Sequence, residues 1–521
     1  MQLKKGTQRG FVIIGESADD QSGWSVSSAG DVNGDGLDDL IVGAKNVKVG
    51  KEYSVGKSYV VFGKQGTDPI ELSDIAAGKG GFVINGELVR DFSGWSVSSA
   101  GDVNGDGLDD LIVGAMYAKY ANQGNIVMSG KSYVVFGKKD NTAINLSDIA
   151  AGTGGFVING ESTRDYSGDS VSSAGDVNGD GLDDLIVGAY GADPSGKRSA
   201  GKSYVVFGKK DTYSIELSDI SSGIGGFVIN GELAYNESGW SVSSAGDVNG
   251  DGLDDLIVGA YGADVGNLYS IKKYNVGKSY VVFGKKDTYS IELSDISSGI
   301  GGFVIIGELA DDKSGYSVSS AGDVNGDGLD DLIVGAYQAT PRDKSSTGTP
   351  QIWGPDSSSK SKAGKSYVVF GKKDNTNAIE LSDIAAGIGG FVIIGESARD
   401  HSGHSVSNAG DVNGDGLDDL IVGAYGAKSS AGKSYVIFGK TDTSAIDLSK
   451  LGDKSKYTID YLGDKNDNIL TGTTKDEIFV AGAGNDILTG NGGMDVLNAG
   501  TGDDTIIINA SNIAALEKTG A

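Results

Sequence analysis

The sequence predicts an all-β protein, a β-propeller of four-stranded blades followed by a short parallel β-roll. Two observations predict this fold class. A string reading Gly-Asp-Val-Asn-Gly-Asp-Gly-Leu-Asp-Asp-Leu-Ile-Val-Gly-Ala occurs six times, and 86 glycines against 5 prolines indicate frequent turns rather than a helical enzyme or a collagen. Successive copies begin 71 to 88 residues apart, a period that suits a four-stranded blade. The first Asp of the string lies at Asp31, Asp102, Asp176, Asp247, Asp323 and Asp411.

Each repeat contains four strand-like runs separated by turn residues. In the first repeat these runs are Ser25–Ala29, Asp39–Ala44, Lys57–Phe62 and Gly81–Asn85. The connector before the fourth run, Leu72–Ala76, is long enough for one helical turn, and we expect little other helix. Six repeats favour six blades. A ring of seven blades is possible only with a blade that the sequence does not visibly encode.

A copy of the fourth run also lies before the first repeat, at Gly10–Ile14, and another follows the last repeat, at Lys456–Leu462. Propeller rings are commonly closed when one terminus completes the blade begun by the other. We therefore expect Gly10–Ile14 to join the three inner strands of the sixth repeat. This organisation assigns residues 1–462 to the propeller and residues 463–521 to a second domain.

The charge of the chain excludes several classes of partner. Lys and Arg number 43 against 71 Asp and Glu, so the formal net charge is −28, and the field of the protein repels nucleic acids and anionic membranes while it attracts cations. The absence of Cys excludes disulfides and thiolate chemistry. No run approaches the roughly 20 apolar residues of a membrane helix. Met1–Ser17 shows no apolar segment typical of a cleaved secretory peptide.

The loop at the start of the repeated string is a candidate calcium site. Side-chain oxygens of Asp31, Asn33, Asp35 and Asp39, with the backbone carbonyl of Leu37, can converge on a hard cation that takes six to eight oxygens. The bidentate Glu that closes an EF-hand is missing, the absence of nearby Cys and His disfavours zinc, and Mg²⁺ usually keeps more water. Asp, Asn and Gly also favour plain β-turns, but six intact copies argue against that interpretation.

We therefore predict one Ca²⁺ site in every repeat. The corresponding ligands of the other five repeats are Asp102, Asn104, Asp106, Leu108, Asp110, Asp176, Asn178, Asp180, Leu182, Asp184, Asp247, Asn249, Asp251, Leu253, Asp255, Asp323, Asn325, Asp327, Leu329, Asp331, Asp411, Asn413, Asp415, Leu417 and Asp419.

The repeat resembles the FG-GAP repeat of integrin alpha-subunit propellers and of bacterial extracellular proteins. In that family an Asp-x-Asn-Gly-Asp-Gly-x-x-Asp-Leu loop binds Ca²⁺ between the first two strands of a blade, and the resemblance covers about Gly10 to Leu462. Ser22 and Gly23 stand for the family's Phe-Gly, and Tyr190 is one of the residues that replace the Pro of Gly-Ala-Pro. These departures remove no metal ligand, but they do not allow an integrin's partner specificity to be transferred.

After Leu462 the pattern changes to a nonapeptide repeat. Its three best copies approximate the unit that coils into a parallel β-roll with Ca²⁺ between turns, and Asp486, Asp495 and Asp504 are the candidate ligands, nine residues apart. Earlier turns around Asp467 and Asp476 depart from the pattern, and a flexible Gly/Asp-rich linker is the alternative. The copies are Gly482–Leu488, Gly492–Leu497 and Gly500–Ile506.

This segment looks like the RTX repeats of bacterial proteins exported by type I secretion, whose signal is C-terminal and uncleaved. The resemblance implies a bacterial protein that is secreted or held at the cell surface. It also implies that folding is coupled to the calcium found outside the cell.

Two further patterns are weak. Gly196–Ser203 matches the P-loop expression, but a strand-like run follows instead of the helix that phosphate binding requires. His401 and His404, the two histidines, are interpreted as surface substitutions, since Ser-His-Asp catalysis needs a nucleophile beside them. We therefore predict no enzymatic activity.

The leading functional hypothesis is an extracellular, monomeric adhesion or interaction module that presents variable loops to a protein or glycan ligand. The loops between the second and third strands vary most in length, and we predict the ligand surface at Met116–Ser129, Tyr261–Val276 and Tyr337–Lys362. A secreted hydrolase, or the non-catalytic accessory region of one, is a first alternative. A calcium-dependent structural protein of a surface layer is a second.

Overall fold

A computed structural model of the chain contains two compact units, one within Phe11–Leu448 and the other from Ser449 onward. Each unit is described separately below. The structure describes residues 12–48, 54–64, 68–122, 125–266, 273–341, 360–373, 377–412, 416–427, 432–451, 461–463, 465–475, 477–482, 484–491, 496–499, 502 and 504–507.

The first unit is a six-bladed β-propeller arrangement, as predicted. Within a blade, the first, second, third and fourth strands pair antiparallel in chain order. The first strands are Ser22–Gly30, Ser96–Gly101, Val171–Gly175, Ser241–Gly246, Ser317–Gly322 and Ser402–Gly410. The second strands are Asp39–Ala44, Asp110–Ala115, Asp184–Ala189, Asp255–Ala260, Asp331–Ala336 and Asp419–Ala424. The third strands are Lys57–Val61, Lys131–Val135, Lys202–Val206, Lys278–Val282, Lys365–Val369 and Lys433–Ile437. The fourth strands of blades one to five are Gly81–Asn85, Gly155–Asn159, Gly226–Asn230, Gly302–Ile306 and Gly390–Ile394.

A two-residue strand from the following repeat adds in parallel to the outer edge of each complete blade, for example Ile144–Asn145 beside Gly81–Asn85. One helical turn follows each of these strands in the first five repeats, and the turn predicted at Leu72–Ala76 is confirmed. The outer strands are Ile70–Glu71, Ile144–Asn145, Ile215–Glu216, Ile291–Glu292, Ile379–Glu380 and Ile446–Asp447. The helices are Leu72–Ala76, Leu146–Ala150, Leu217–Ser221, Leu293–Ile296 and Leu381–Ala385, with 3₁₀ turns at Pro194–Gly196 and Leu448–Lys450, and a hairpin joins Tyr120–Asn122 to Asn125–Val127.

The hydrophobic core lies between successive sheets. Ile41 and Val60 of blade one pack with Leu111, Val113 and Tyr133 of blade two, and all five side chains are buried. Equivalent clusters fill the next four junctions. Because both faces of an inner sheet are covered, the second strand contains the continuous apolar sequence Leu-Ile-Val instead of alternating apolar and polar residues.

The two end blades leave one face uncovered. Val26 of blade one is 64% exposed, whereas Val97, its equivalent in blade two, is 4% exposed. Val436 of blade six is 46% exposed, whereas Val368 of blade five is fully buried. Blades one and six therefore each have one exposed apolar face. These two faces correspond to the two sides of the interface that is buried between successive inner blades.

The ring closure expected from the sequence is not the pairing observed. Ile13–Ile14 pairs in parallel with Ile70–Glu71, and Gly10 and Phe11 lie outside the described residues. Every complete blade pairs its fourth strand in parallel with the next outer strand, so Ile13–Ile14 occupies the place of a fourth strand in front of blade one. The sheet of blade six has three strands in the part of the chain that the structure describes.

The second copy of the fourth run, at Lys456–Leu462, is described only at its end. Tyr461–Leu462 pairs in parallel with Ile478–Val480 in the second unit, and residues 456–460 lie outside the described residues. Tyr461–Leu462 therefore belongs to the second unit, although the sequence assigned it to the propeller.

The second unit contains two parallel sheets, which confirms the predicted β-roll. Successive strands along the chain alternate between the sheets, so stacked strands are two nonapeptides apart. The sequence around Asp467 departs from the pattern, yet the strand that follows it forms and stacks like the others. One sheet contains Tyr461–Leu462, Ile478–Val480 and Val496–Asn498, and the other contains Ile469–Thr471, Ile487–Thr489 and Thr505–Ile507.

Candidate calcium loops and aromatic belt

The loop of blade one connects the first two strands and is wrapped around its own carboxylates. Asp31 Oδ1 accepts hydrogen bonds from the backbone N–H groups of Gly34 (2.8 Å) and Asp35 (3.0 Å), and Asp31 Oδ2 accepts one from Gly36 (2.8 Å). Gly34 and Gly36 have φ of 74° and 86°, which glycine adopts at least cost. The backbone N–H of Leu37 in turn donates to Asp35 Oδ1 at 3.0 Å.

Asp39 closes the loop from inside the blade. It is fully buried at the start of the second strand, Oδ1 accepts the N–H of Gly63 at 2.7 Å, and Oδ2 accepts the N–H of Val32 at 3.2 Å. The side-chain amide of Asn33 also donates to Asp39 Oδ2 at 3.2 Å. The end of the third strand and the start of the loop are thus held by one carboxyl group.

Burial raises the pKa of this last carboxyl group in each of the first five loops. In blade two, desolvation raises the pKa of Asp110 to about 8, Asp106 and Asp102 raise it further, and the N–H of Gly137 opposes the shift. The influence of Asp106 and Asp102 means that three carboxylates lie close enough to repel one another. The pKa of Asp39 is raised to about 6, that of Asp184 to about 7, that of Asp255 to about 8 and that of Asp331 to about 7.

This donor set fits a hard divalent cation. A buried carboxylate, two further carboxylates, an amide oxygen and a backbone carbonyl are all oxygen ligands, and a divalent ion would offset their repulsion. Each carboxyl oxygen has more than one acceptor position, so the observed N–H bonds leave room for a metal bond. Among the residues that the structure describes, no three acidic or histidine side chains form a ready-made metal cage.

Sequence reasoning missed the Asp at position eight of the loop. Asp109 Oδ2 in blade two accepts the backbone N–H of Asp31 in blade one at 2.7 Å. The same bond joins each of the next four pairs of blades, at 2.8 to 2.9 Å. A Cβ at Gly30 would lie 2.3 Å from Asp109 Oδ2, so glycine is required before the loop. The other carboxylates with this role are Asp183, Asp254, Asp330 and Asp418.

In blade six the structure describes only part of the predicted site. Asp411 Oδ2 accepts the N–H of Gly416 at 2.8 Å, and Asp419 accepts N–H bonds from Val412 and Gly439, as in the other loops. Asn413 and Asp415 lie outside the described residues.

In the second unit the structure describes two of the three predicted ligands. Asp486 Oδ1 accepts the N–H of Asn468, and the N–H of Asp486 donates to Asp504 Oδ1, both across 18 residues. Asp486 and Asp504 therefore lie on one side of the coil, whereas Asp495, which precedes a strand of the other sheet, lies outside the described residues. Asp486 Oδ2 is buried without a hydrogen-bond partner, which fits a cation ligand.

Comparison with known families agrees with this geometry. The FG-GAP repeat family matches all six blades, at residues 22–61, 93–135, 167–206, 238–282, 314–353 and 402–437. The chain carries six FG-GAP repeats. The RTX calcium-binding nonapeptide repeat matches residues 471–506, within the second unit. Both resemblances seen in the sequence are thereby confirmed, and together they imply Ca²⁺ binding.

Curated relatives include integrin alpha subunits. The chain is 32% identical to integrin alpha pat-2 of Caenorhabditis elegans over 267 residues, which are 49% of this chain and 18% of that protein. It is 28% identical to integrin alpha-5 of Xenopus laevis over 259 residues, or 48% of this chain and 21% of that protein. The chain thus spans about a fifth of the length of these relatives.

A human phosphatidylinositol-glycan-specific phospholipase D is also similar, with 27% identity over 340 residues, which are 60% of this chain and 34% of that protein. None of the helices in the described residues has the length and apolar character needed to cross a membrane.

The FG-GAP propeller carries a continuous belt of aromatic rings at the end of its innermost strands, opposite the calcium loops. Some rings stand where a first strand begins, such as Trp240, and others where a second strand has ended, such as Tyr261. Neighbouring ring centroids are 4.4 to 6.4 Å apart. This aromatic belt consists of Trp24, Phe92, Trp95, Tyr117, Tyr166, Tyr190, Trp240, Tyr261, Tyr316, Tyr337, His401, His404 and Tyr425.

Polar groups interrupt the aromatic belt in two blades. In blade one, Lys45 stands after the second strand, and its ammonium group lies 2.7 Å from the ring centroid of Trp24 and 3.9 Å from that of Trp95. Burial lowers the pKa of Lys45 to about 8. In blade three, Asp169 takes the repeat position of Trp95, and burial raises its pKa to about 7, with Trp95 and Lys45 opposing the shift. These groups lie between rings and are held by them.

The two histidines, interpreted as surface substitutions, are half-buried and pack against aromatic rings. His401 stacks on Tyr425 with centroids 5.1 Å apart and an interplanar angle of 7°, and His404 lies 4.9 Å from the ring of Tyr316. Burial lowers the pKa of both histidines. They continue the aromatic belt into blade six, and the sequence could not reveal their contacts with Tyr316 and Tyr337, which come from the preceding repeat.

The segment resembling a P-loop leads into a strand, as the sequence predicts. The third strand of blade three, Lys202–Val206, begins within it, where phosphate binding would require a helix.

Proposed function

We propose that this chain is an extracellular, calcium-loaded interaction module that binds a protein or glycan ligand and performs no catalysis. Calcium serves as the structural cofactor. In each blade the side chains at loop positions one, three, five and nine, with the carbonyl at position seven, hold one ion, as Asp31, Asn33, Asp35, Asp39 and Leu37 do in blade one. Asp486, Asp495 and Asp504 contribute to ions of the second unit.

The aromatic belt carries the proposal for a ligand surface. It lies on the end of the propeller away from the calcium loops, and its rings are half-buried rather than sealed, for example at Trp240 and Tyr316. Aromatic side chains supply large contact areas at low entropic cost, and they are enriched at interfaces. The variable loops predicted as ligand surface begin at this same end, at Met116, Tyr261 and Tyr337, although residues 123–124, 267–272 and 342–359 within them lie outside the described residues.

We also propose that the propeller and the RTX-like roll are separate domains, with the boundary expected at residue 462 moved to between residues 448 and 461, and that the chain is monomeric. Export through a C-terminal signal of the type I kind, from a bacterium, is consistent with the RTX repeats at 471–506. Calcium outside the cell would then complete folding, because ions that bind only the folded state stabilise it by mass action.

A second candidate is an accessory propeller of a secreted hydrolase. The similarity to phosphatidylinositol-glycan-specific phospholipase D over 60% of this chain supports it. Release of phosphatidylinositol-glycan anchors by the purified chain would favour this candidate over a binding module.

The test is a binding screen of the purified, calcium-loaded protein against glycan arrays and cell surfaces, repeated after chelation. We expect binding that is lost with EGTA and lost in a Tyr316→Ala variant whose melting temperature in calcium is retained. Tyr213→Ala is the matched control, since Tyr213 is 81% exposed and follows the third strand of blade three, on the calcium-loop side. Binding that ignores both chelation and Tyr316 would refute the proposal.

A further inference from the structure

Blade three contains a cavity of about 550 Å³ at the same end as the aromatic belt. One wall is the connection leading into the first strand, and the other is the loop after the second strand. Within that loop the N–H of Ser199 donates to Asp193 Oδ1 at 2.7 Å, and the carbonyl of Arg198 accepts the N–H of Tyr235 in blade four at 2.8 Å. These bonds hold the loop in place, so the cavity is preformed.

An aromatic platform lies at one side of the cavity. The rings of Tyr166 and Tyr190 are stacked, with centroids 5.3 Å apart and an interplanar angle of 11°. Both tyrosines are half-buried members of the aromatic belt. Stacked rings of this kind present a flat apolar surface, on which a planar or ring-shaped ligand can lie.

Two guanidinium groups line the same cavity. The side chains of Arg164 and Arg198 make no ion pair in the described part of the chain, and the contact shown for them is that of Arg198 with the ring of Tyr235 at 6.0 Å. The chain has a net charge of −28, so two arginines at one cavity, without ion pairs in the described residues, give that place a positive charge that contrasts with the rest of the chain.

Two of the three acidic groups of the cavity are paired with a cation or strongly desolvated. Glu161 is paired with Lys202 at 2.6 Å. Burial raises the pKa of Asp165 to about 7, and the charge of Glu161 raises it further. Asp193 is the remaining carboxylate of the lining and is engaged by the N–H of Ser199.

We propose that this cavity binds an acidic sugar, a pyranose ring that carries a carboxylate, as a unit of a glycan. The inference rests on the proposed function and names the class of its ligand. The carboxylate matches the planar fork of Arg164 or Arg198, and the apolar ring face lies on Tyr166 and Tyr190. Hydroxyl groups of the sugar meet Ser162, which also lines the cavity.

The single charge of a carboxylate suits this cavity better than a phosphate does. A phosphate group of nearly two charges would be repelled by Asp193 and by the negative field of the whole chain more strongly than a singly charged carboxylate is. A nucleotide, which would also stack on tyrosines, is therefore the disfavoured ligand and becomes an outcome of the test.

The experiment is calorimetric titration of the full chain in calcium with three acidic probes, digalacturonate, a glucuronate-containing hyaluronan oligosaccharide and sialyllactose. Methyl-esterified digalacturonate is the neutral control for the first probe. We expect at least one acidic probe to bind, and Arg164→Gln and Arg198→Gln each to weaken it about tenfold, the loss typical of one charged hydrogen-bonding partner. Arg90→Gln is the matched control variant, because Arg90 holds the same repeat position in blade two and has the same left-handed backbone, with φ of 67° against 73° for Arg164.

The outcomes separate this inference from the broader function. Absence of binding by all three acidic probes, equal binding of the acid and its ester, equal loss in the Arg90 variant, or tighter binding of uridine monophosphate than of any acidic sugar would each overturn the acidic-sugar site. None of these results bears on calcium-dependent binding through Tyr316, which the screen of the proposed function tests separately. Unchanged melting temperatures in calcium show that the arginine variants are folded.

Discussion

The side chain of Asp109 accepts the backbone N–H of Asp31 at 2.7 Å, so a carboxylate of blade two holds the calcium loop of blade one. Asp109 is next to Asp110, which closes the loop of its own blade. In repeats two to six the adjacent pair of aspartates thus serves two loops at once. A calcium loop in this propeller is completed by the neighbouring blade.

The first prediction concerns this link between loops. Asp109→Ala removes the acceptor and leaves the N–H of Asp31 unpaired, so the free energy of unfolding in calcium should fall by about 1–3 kcal/mol, as for hydrogen bonds to charged groups. Chemical unfolding measures it. Asp38→Ala is the matched control. Asp38 has the same repeat position in blade one, but no loop of a preceding blade is bonded to it in the described residues. Equal losses in the two variants would contradict the link.

The second prediction concerns a carboxylate that joins blades at their outer side. Glu87, which follows the fourth strand of blade one, accepts hydrogen bonds from Lys131 and from the hydroxyl of Tyr133 in blade two. Lys131 and Glu87 side chains are 8% and 17% exposed. Glu87→Gln should lower the free energy of unfolding by about 2–3 kcal/mol because an ammonium group then stays buried without a counter-charge. Tyr133→Phe should lower it by about 1 kcal/mol.

The control for the second prediction is a surface pair in the same repeat. Lys79 and Asp74 are 3.0 Å apart, and their side chains are 73% and 55% exposed. Lys79→Gln should change stability by less than about 1 kcal/mol. A loss in Lys79→Gln as large as that in Glu87→Gln would mean that the buried pair has no special role.

The strands could be predicted from the sequence because each blade repeats its pattern. The second and fourth strands of blade one have the bounds predicted from the alternation of apolar runs and glycines, Asp39–Ala44 and Gly81–Asn85. The first strand extends further, over Ser22–Gly30, because it pairs around bulges that no local pattern marks. Repetition also led to the prediction of the loop ligands, since turn preference alone does not preserve every oxygen in six copies.

Relationships between repeats could not be predicted. Asp109 reaches a partner 78 residues away, and the sequence shows it as one more aspartate of the loop. The aromatic belt takes its rings from different positions of the repeat, and at one position the residue is Trp95, Asp169 or His404 in different blades. The nine-residue spacing of aspartates in the second unit gave no sign that alternate strands belong to different sheets and that stacking occurs every 18 residues.

The third prediction concerns pH. Asp91 is 1% exposed, its Oδ2 has no hydrogen-bond partner, and desolvation raises its pKa to about 7, with Lys131 opposing the shift. The carboxyl group of Asp91 binds a proton more tightly in the folded state than in the unfolded chain. Its contribution to stability is therefore greatest below pH of about 4 and is lost as pH rises through 7. Blade four has Asn236 at the same position.

Asp91→Asn should therefore stabilise the protein at pH 8 by about 1–3 kcal/mol and change it little at pH 4. Chemical unfolding at both pH values, at saturating calcium, measures the difference. Asp219→Asn, at an exposed carboxyl group, controls for the loss of one charge and should show no such pH dependence. A stability gain that is the same at both pH values would mean that Asp91 is not the titrating group.

The fourth prediction concerns the two uncovered end faces. In the complete blades a serine of the third strand pairs with an isoleucine of the fourth, as Ser58 does with Ile84, and the equivalent residues at the chain ends are Ser434 and Ile13. Bringing blade six against Ile13–Ile14 would cover Val436, and burial of apolar surface contributes about 25 cal/mol per Å². We therefore expect the two ends to meet in solution.

A double variant, Ile13→Cys with Ser434→Cys, tests this closure in a chain that has no cysteine of its own. A disulfide forms only where the Cα atoms come within about 7 Å, so oxidation in calcium should give a cross-linked monomer, seen as faster migration on a non-reducing gel and as a missing pair of free thiols by mass spectrometry. The intramolecular product is favoured because both ends belong to one chain and have a high effective concentration. Cross-linked dimers alone would show that the end faces join two chains, and free thiols after oxidation would show that blade six stays apart from the N-terminal strand.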